Sequence, residues 1–442
     1  MKTSALMGAI SFESISACIL IAALSIVIYA VVVGGMKGKK LVQAPIFLSI
    51  FISLGSLMLR LVMFPRLEND ELSWHRQGTV AAKVILGQQQ LKEGVFGIGK
   101  AGYSWLVGAM YSVVGEIPFV MLFLNTCLFI LLVPLLMAIA ENLTASLDLD
   151  PNVQARALRF SGFFIAAVPT IVFWTPRLLR ETLTMFLIAV AIYSLLKLIE
   201  TKHFGFLVSL GLSISVLITI RAQIGIGLAA AVALAMAVSS ILKIRGALTR
   251  TLVLVPLIVI FGLLAWNGAT SIRDIDLKQT AAANRELASA DSAFSGAESL
   301  GQANSIVDVL LFNFPRVLLG PFPNEVNPSG VMLLATFSNF FWLLALYFGL
   351  KKLPGLLSSN VGSEAKKLRS IVVLLVFFAV LIFMTSFSAG NYGLVIRMRL
   401  MSFVPIIPLA GLGFALRYSN KKTAIPRSIK NERSIKLEHA LR

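Results

Sequence analysis

The sequence predicts an all-α, polytopic transmembrane helix bundle. Apolar residues fill 57% of its 442 positions and charged residues only 14%. Mean hydropathy is +0.86, and runs of about 20 residues nearly free of charge recur along the chain. A soluble protein of this length could not bury that much apolar surface. The third observation is the distribution of lysine and arginine, which concentrate in alternate connections between the runs.

About eleven spans follow from hydropathy: 14–33, 45–63, 117–140, 158–174, 183–199, 205–220, 224–241, 251–266, 331–350, 370–387 and 400–416. The first run reads as a span rather than a cleaved leader, because Lys2 is the only basic residue before it and Glu13 interrupts its approach. Lys37, Lys39 and Lys40 place the first connection in the cytoplasm. Alternation then places Lys197/Lys202, Lys243/Arg245/Arg250, Lys351/Lys352/Lys366/Lys367/Arg369 and the basic tail from 417 to 442 there too. The expected topology is N-out, C-in, with residues 1–416 as the membrane core.

Two long outer loops result. In 64–116, Val80, Val84, Leu91 and Val95 could share the apolar face of a surface helix. In 267–330, Phe312, Phe314, Pro315, Pro321, Phe322 and Pro323 suggest an ordered, non-helical loop.

The net charge of +18 would suggest nucleic acid in a soluble protein. Here topology and anionic headgroups account for most of it, so membrane lipids are the expected partners and nucleic acid is not. Cys18 and Cys127 lie inside spans and read as small buried apolar residues. No His/Cys/Asp set has zinc-like spacing, and no nucleophile elbow or phosphate-binding glycine loop occurs.

Five arginines break the positive-inside pattern. Arg177 and Arg180, Arg221, and Arg397 and Arg399 sit in three short connections on the outer side. Arginines suit phosphate because the guanidinium fork matches its oxygens. If 176–181 is helical from Pro176, Arg177, Arg180 and Glu181 share a face and Arg177 can pair with Glu181. Arg397 and Arg399, two apart, can reach one ligand only if their segment is extended.

The same side carries Glu68, Asp70 and Glu71, just after span two. Mutual repulsion of three carboxylates could raise one toward a working general base, and they could equally cap the helix that follows. Glu181, His75 and Arg316 are nominated as supporting residues. A divalent cation on the acidic cluster is the one cofactor these side chains suggest, without a recognisable metal pattern.

The chain resembles the GT-C superfamily of polytopic glycosyltransferases, and also the Wzy-type polymerases of bacterial exopolysaccharide and O-antigen repeat units. The resemblance rests on Glu68-Asn69-Asp70-Glu71, on Gly99 to Leu106 with Gly115 and Asn125 beyond, and on Arg177-Leu178-Leu179-Arg180-Glu181. The run from Asn391 to Arg399 before a span with Pro405 and Pro408 completes it. It implies Asp70 or Glu71, with Glu68 third, as catalytic base. It also implies a polyprenyl-phosphate sugar donor, a glycan or lipid acceptor, and a bacterial inner membrane with the site facing the periplasm or exterior. A polymerase of lipid-diphosphate repeat units and a non-catalytic flippase are the rival expectations.

Overall fold

A computed structural model describes residues 12–91, 101–241, 306–322, 330–360, 365–388 and 392–422. Within them the chain is helical, without strands. The helices are α1 (Phe12–Gly34), α2 (Lys39–Met63), α3 (Asn69–Ile85), α4 (Ala101–Val114), α5 (Pro118–Ser146), α6 (Pro151–Ala167), α7 (Pro169–Trp174), α8 (Glu181–Thr201), α9 (Phe204–Ile220) and α10 (Ala222–Ile241). After a gap come α11 (Ile306–Leu319), α12 (Gly330–Lys351), α13 (Leu353–Asn360), α14 (Ala365–Ser388) and α15 (Tyr392–Lys422).

Among the described residues seven helical stretches are long and apolar enough to cross a membrane. They fall in α1, α2, α5, α8, α12 with the start of α13, α14 and α15. Apolar but shorter are α9 and the Ala222–Val238 part of α10. The protein is therefore a multi-spanning membrane protein. The expected span at 251–266, most of the 267–330 loop and residues 423–442 lie outside the described residues.

The bundle is built around α15 and α5. Of the apolar stretch of α15, 89% is buried, against 6% for α1. Ile406, Ile407, Val404 and Ala410 of α15 join Phe129, Leu132 and Leu136 of α5 and Trp342 of α12 in one core. At the rim, α1 and α2 turn Ile19, Ile26, Phe47 and Phe51 outward. Such faces suit lipid, whose tails are as apolar as the side chains.

The fourth expected span is broken. Val168 takes an extended conformation (φ −68°, ψ 111°) between α6 and α7, as a residue ahead of proline tends to. Ser338 of α12 accepts the Thr170 N–H at 3.0 Å, meeting one of the donors exposed by the break.

Two further expectations are corrected. Residues 306–319 form a helix with Pro315 inside it, although the proline pattern suggested a loop. Pro315 stands four residues before the end of α11, so the helix gives up only the one backbone bond that an N–H there would have made to the Leu311 carbonyl. Helix α3 ends at Ile85, so Leu91 is not on it, and the stripe it buries within the protein is Glu71, His75, Gly78 and Ala82. That stripe packs on α4. A Cβ on Gly78 would lie 2.3 Å from Val107, and one on Gly108 would lie 2.4 Å from Ala81, so both glycines are needed for the close approach.

Side-chain bonds fasten the helix ends on two opposite sides. On one, Glu141 accepts the Gly38 N–H at 2.7 Å, and Asn142 donates to Glu200 at 2.9 Å. On the other, the end of α2, the start of α3, the α7–α8 and α9–α10 connections and the start of α15 meet.

Candidate functional site

Glu71 anchors the meeting point. Its carboxylate accepts from Arg60 Nη2 at 2.6 Å, from the Leu178 N–H at 3.0 Å and from the Glu68 N–H at 3.1 Å. The last contact is half of a capping box at the start of α3, where the helix dipole also favours negative charge. Glu71 is 1% exposed. These three bonds make Glu71 the group that holds α2, α3 and the 175–180 connection together.

Arg60 escaped the sequence analysis. It lies inside the second span, where an arginine near a helix end reads as one reaching for the membrane surface. In the fold it is 3% exposed and turns inward, also donating to the Arg66 carbonyl at 3.0 Å. The usable signal was its position within an apolar run, since intramembrane charge is rarely idle.

Residues 175–180 are not helical, and α8 begins at Glu181. The expected Arg177–Glu181 pair is therefore absent. Arg177 instead pairs with Glu68 and lies 4.0 Å from Glu71. Its guanidinium sits over Phe173 at 4.4 Å and Trp174 at 4.9 Å, contacts that are strong where water is excluded. Asn125 of α5 explains the shape of this connection. It donates to the Arg177 carbonyl at 2.7 Å and to the Leu179 carbonyl at 3.0 Å.

Glu181 faces Arg221 instead, at 3.8 Å, with both side chains nearly buried. Arg221 caps the end of α9, and Arg180 donates to the Ile220 carbonyl at 2.9 Å while lying over Trp74 at 5.2 Å. Glu181 Oε2 has no hydrogen-bond partner among the described residues. The carboxylate thus faces Arg221 without being saturated by it.

Arg397 and Arg399 lie in α15 and part company, because the segment is helical. Arg397 pairs with Asp70 and lies 5.6 Å from the Trp174 ring. Arg399 is turned into the bundle. It donates to Asn339 Oδ1 at 2.8 Å, the Gly320 carbonyl at 2.7 Å and the Arg316 carbonyl at 3.0 Å. It therefore fastens α12, α11 and α15, and Arg316, stacked on Phe312 at 3.6 Å, belongs with it rather than with the acidic cluster.

His75 Nδ1 meets the Tyr111 hydroxyl at 3.0 Å, between α3 and α4. Burial lowers its pKa, opposed by Glu116 and reinforced by Arg76. Among the described residues no three His, Cys, Asp or Glu side chains converge as metal ligands. Each carboxylate of the acidic cluster holds an arginine, which argues against a cation there.

Asp70 differs from its neighbours. It is 58% exposed with one charged partner, while Glu68 is 50% exposed and shares the deeply buried Arg177. The accessible carboxylate is thus paired with an arginine that is itself partly exposed, Arg397 at 20%. No protein-family model matches the chain, and no curated protein is significantly similar to it.

Proposed function

We propose that this protein is a membrane glycosyltransferase that moves a sugar from a polyprenyl-phosphate donor to a glycan or lipid acceptor. It works at the outer face of a bacterial inner membrane, in assembly of cell-surface polysaccharide. Asp70 is the base, and Arg397, Arg221 and Arg180 hold the donor phosphate. Asp70 takes the proton of the acceptor hydroxyl, whose oxygen forms a bond to the anomeric carbon. The bond from that carbon to the phosphate oxygen breaks, and the arginines stabilise the anion that leaves.

One observation carries this reading: an accessible carboxylate paired with an arginine, on the same side of the bundle as a second carboxylate, Glu181, that Arg221 approaches at 3.8 Å. Phosphate arriving at Arg397 competes with Asp70 for the guanidinium. Release from that pair frees the carboxylate oxygens to face the acceptor hydroxyl as the substrate binds. Outside the cytoplasm no nucleotide sugar is at hand, so a lipid-linked donor is the economical source of an activated glycosyl group. The resemblance to GT-C enzymes points the same way.

The excess of guanidinium over carboxylate groups also fits a diphosphate, as used by repeat-unit polymerases. Product length on gels separates the two, since a polymerase makes ladders and a single-sugar transferase does not. The decisive experiment is transfer from a labelled polyprenyl-phosphate sugar in membranes of the Asp70→Asn variant. Retention of wild-type transfer by that variant overturns the assignment.

A further inference from the structure

A second feature lies at the far end of the bundle. Arg156, Arg159, Phe160, Phe163, Phe164 and Ala167 of α6 line a groove of about 420 Å3, closed by Phe341 and Leu344 of α12 and Phe414 of α15. Its floor is a run of packed rings: Phe160 stacks on Phe414 at 4.5 Å and on Phe164 at 5.2 Å, and Phe164 meets Phe341 at 5.9 Å. Arg156 and Arg159 stand one turn apart at one end, on one face of α6.

The helix itself separates this end from the candidate site. From Arg156 to Trp174 the chain rises about 25 Å, close to the thickness of a bilayer core. Arg156 and Arg159 make no hydrogen bond or ion pair with another described residue. Asp150, the carboxylate next to this helix, accepts the Asn152 N–H at 2.7 Å as the α6 cap. The arginines therefore carry positive charge that no described side chain answers.

We infer that this groove binds an anionic phospholipid, with one acyl chain along the phenylalanine floor and the headgroup phosphate between Arg156 and Arg159. The length fits. From Arg156 to Ala167 the groove follows about 16 Å of helix, roughly half the hydrocarbon core, which is the reach of an acyl chain in one leaflet. Charge complementarity selects the headgroup, since basic pockets between membrane helices hold anionic lipid. The ligand is thus a lipid of the leaflet opposite the candidate site, and the inference does not depend on glycosyl transfer.

The test is native mass spectrometry of the purified chain released from vesicles of phosphatidylglycerol and phosphatidylcholine in equal parts. Wild-type protein should retain phosphatidylglycerol in preference to phosphatidylcholine. The double variant Arg156→Gln/Arg159→Gln should lose that preference by about thirtyfold, about fivefold per arginine. Lys39→Gln/Lys40→Gln, which removes the same charge from another exposed position, should leave it unchanged. Ala167→Phe, which fills the groove and leaves the charge alone, should lower retention of both lipids. Equal retention by the arginine variant and wild type overturns the inference. So does an equal loss in the lysine variant, which would mean a diffuse field, and so does wild-type protein that retains phosphatidylcholine equally well, which would mean an apolar groove without headgroup recognition.

Discussion

Arg60 and Glu71 form an ion pair of 2.6 Å with both side chains almost fully buried, tying the end of α2 to the first turn of α3. Removing one partner of a buried pair strands the other charge, at a typical cost of about 3 to 5 kcal/mol. Glu71→Gln and Arg60→Ala should each lower the unfolding free energy by that order. Arg60→Met/Glu71→Leu, which removes both charges, should recover much of the loss. Thermal unfolding of the detergent-purified variants reads this directly. If Glu71→Gln is as stable as wild type but inactive, Glu71 is chemical rather than architectural.

Asp70 should behave in the opposite way. An exposed ion pair contributes about 0 to 1 kcal/mol, so Asp70→Asn should leave the unfolding midpoint within a degree or two. Its effect should fall on transfer, at about a hundredfold or more for loss of a general base. The comparison to make is activity against stability for Asp70→Asn and Glu71→Gln side by side.

Fold class and most helix positions were legible because hydropathy and the lysine distribution are properties of the chain itself. Three things were not. The break at Val168 lies inside an apolar run, and only Pro169 marked it. Arg60 resembled a surface-seeking side chain, because burial by α3 and the 175–180 connection is set by packing. The pairing of charges was the largest gap. Arg177 and Glu181 look like natural partners at four residues' spacing, yet α8 begins only at Glu181, and Arg177 finds Glu68, 109 residues away. Asp70 finds Arg397 across 327 residues. Local period predicts such contacts only when the segment is known to be helical.

The Asn125 bonds explain why the 175–180 connection keeps its shape, and they offer a third test. Asn125→Leu keeps a branched side chain of similar shape but leaves the Arg177 and Leu179 carbonyls without their donor inside the bundle. Loss of two buried hydrogen bonds should cost about 2 to 4 kcal/mol. Donor use should fall with it, because Arg177 and Arg180 are no longer held. Preserved transfer in Asn125→Leu would separate this connection from the chemistry.

His75 gives a pH dependence whose sign is fixed by burial. The folded state holds its pKa below the ordinary value of about 6.5, so below that pH the unfolded chain binds the proton more readily. Stability from this residue is complete above about pH 6.5 and falls away as the pH drops through the folded-state pKa. His75→Gln, which keeps a polar group opposite Tyr111, should flatten the acid side of the stability profile. An unchanged profile assigns the acid sensitivity to other groups.

Glu181 provides the strictest test of the phosphate site, because two substitutions a few ångströms apart should act in opposite directions. Arg221→Ala removes a positive group, so affinity for a short polyprenyl phosphate should fall by about tenfold. Glu181→Gln removes the negative group that competes with phosphate for Arg221, so affinity should rise severalfold. In the empty protein Glu181→Gln leaves Arg221 buried without its counter-charge, and the unfolding midpoint should drop. Adding the phosphate should restore it, since a ligand that binds only the folded state stabilises that state in proportion to its affinity. Arg221→Ala should show no such recovery. Competition binding and thermal unfolding on the same samples measure both effects. Loss of affinity in both variants would mean that Glu181 and Arg221 hold α8 and α9 together without meeting the donor.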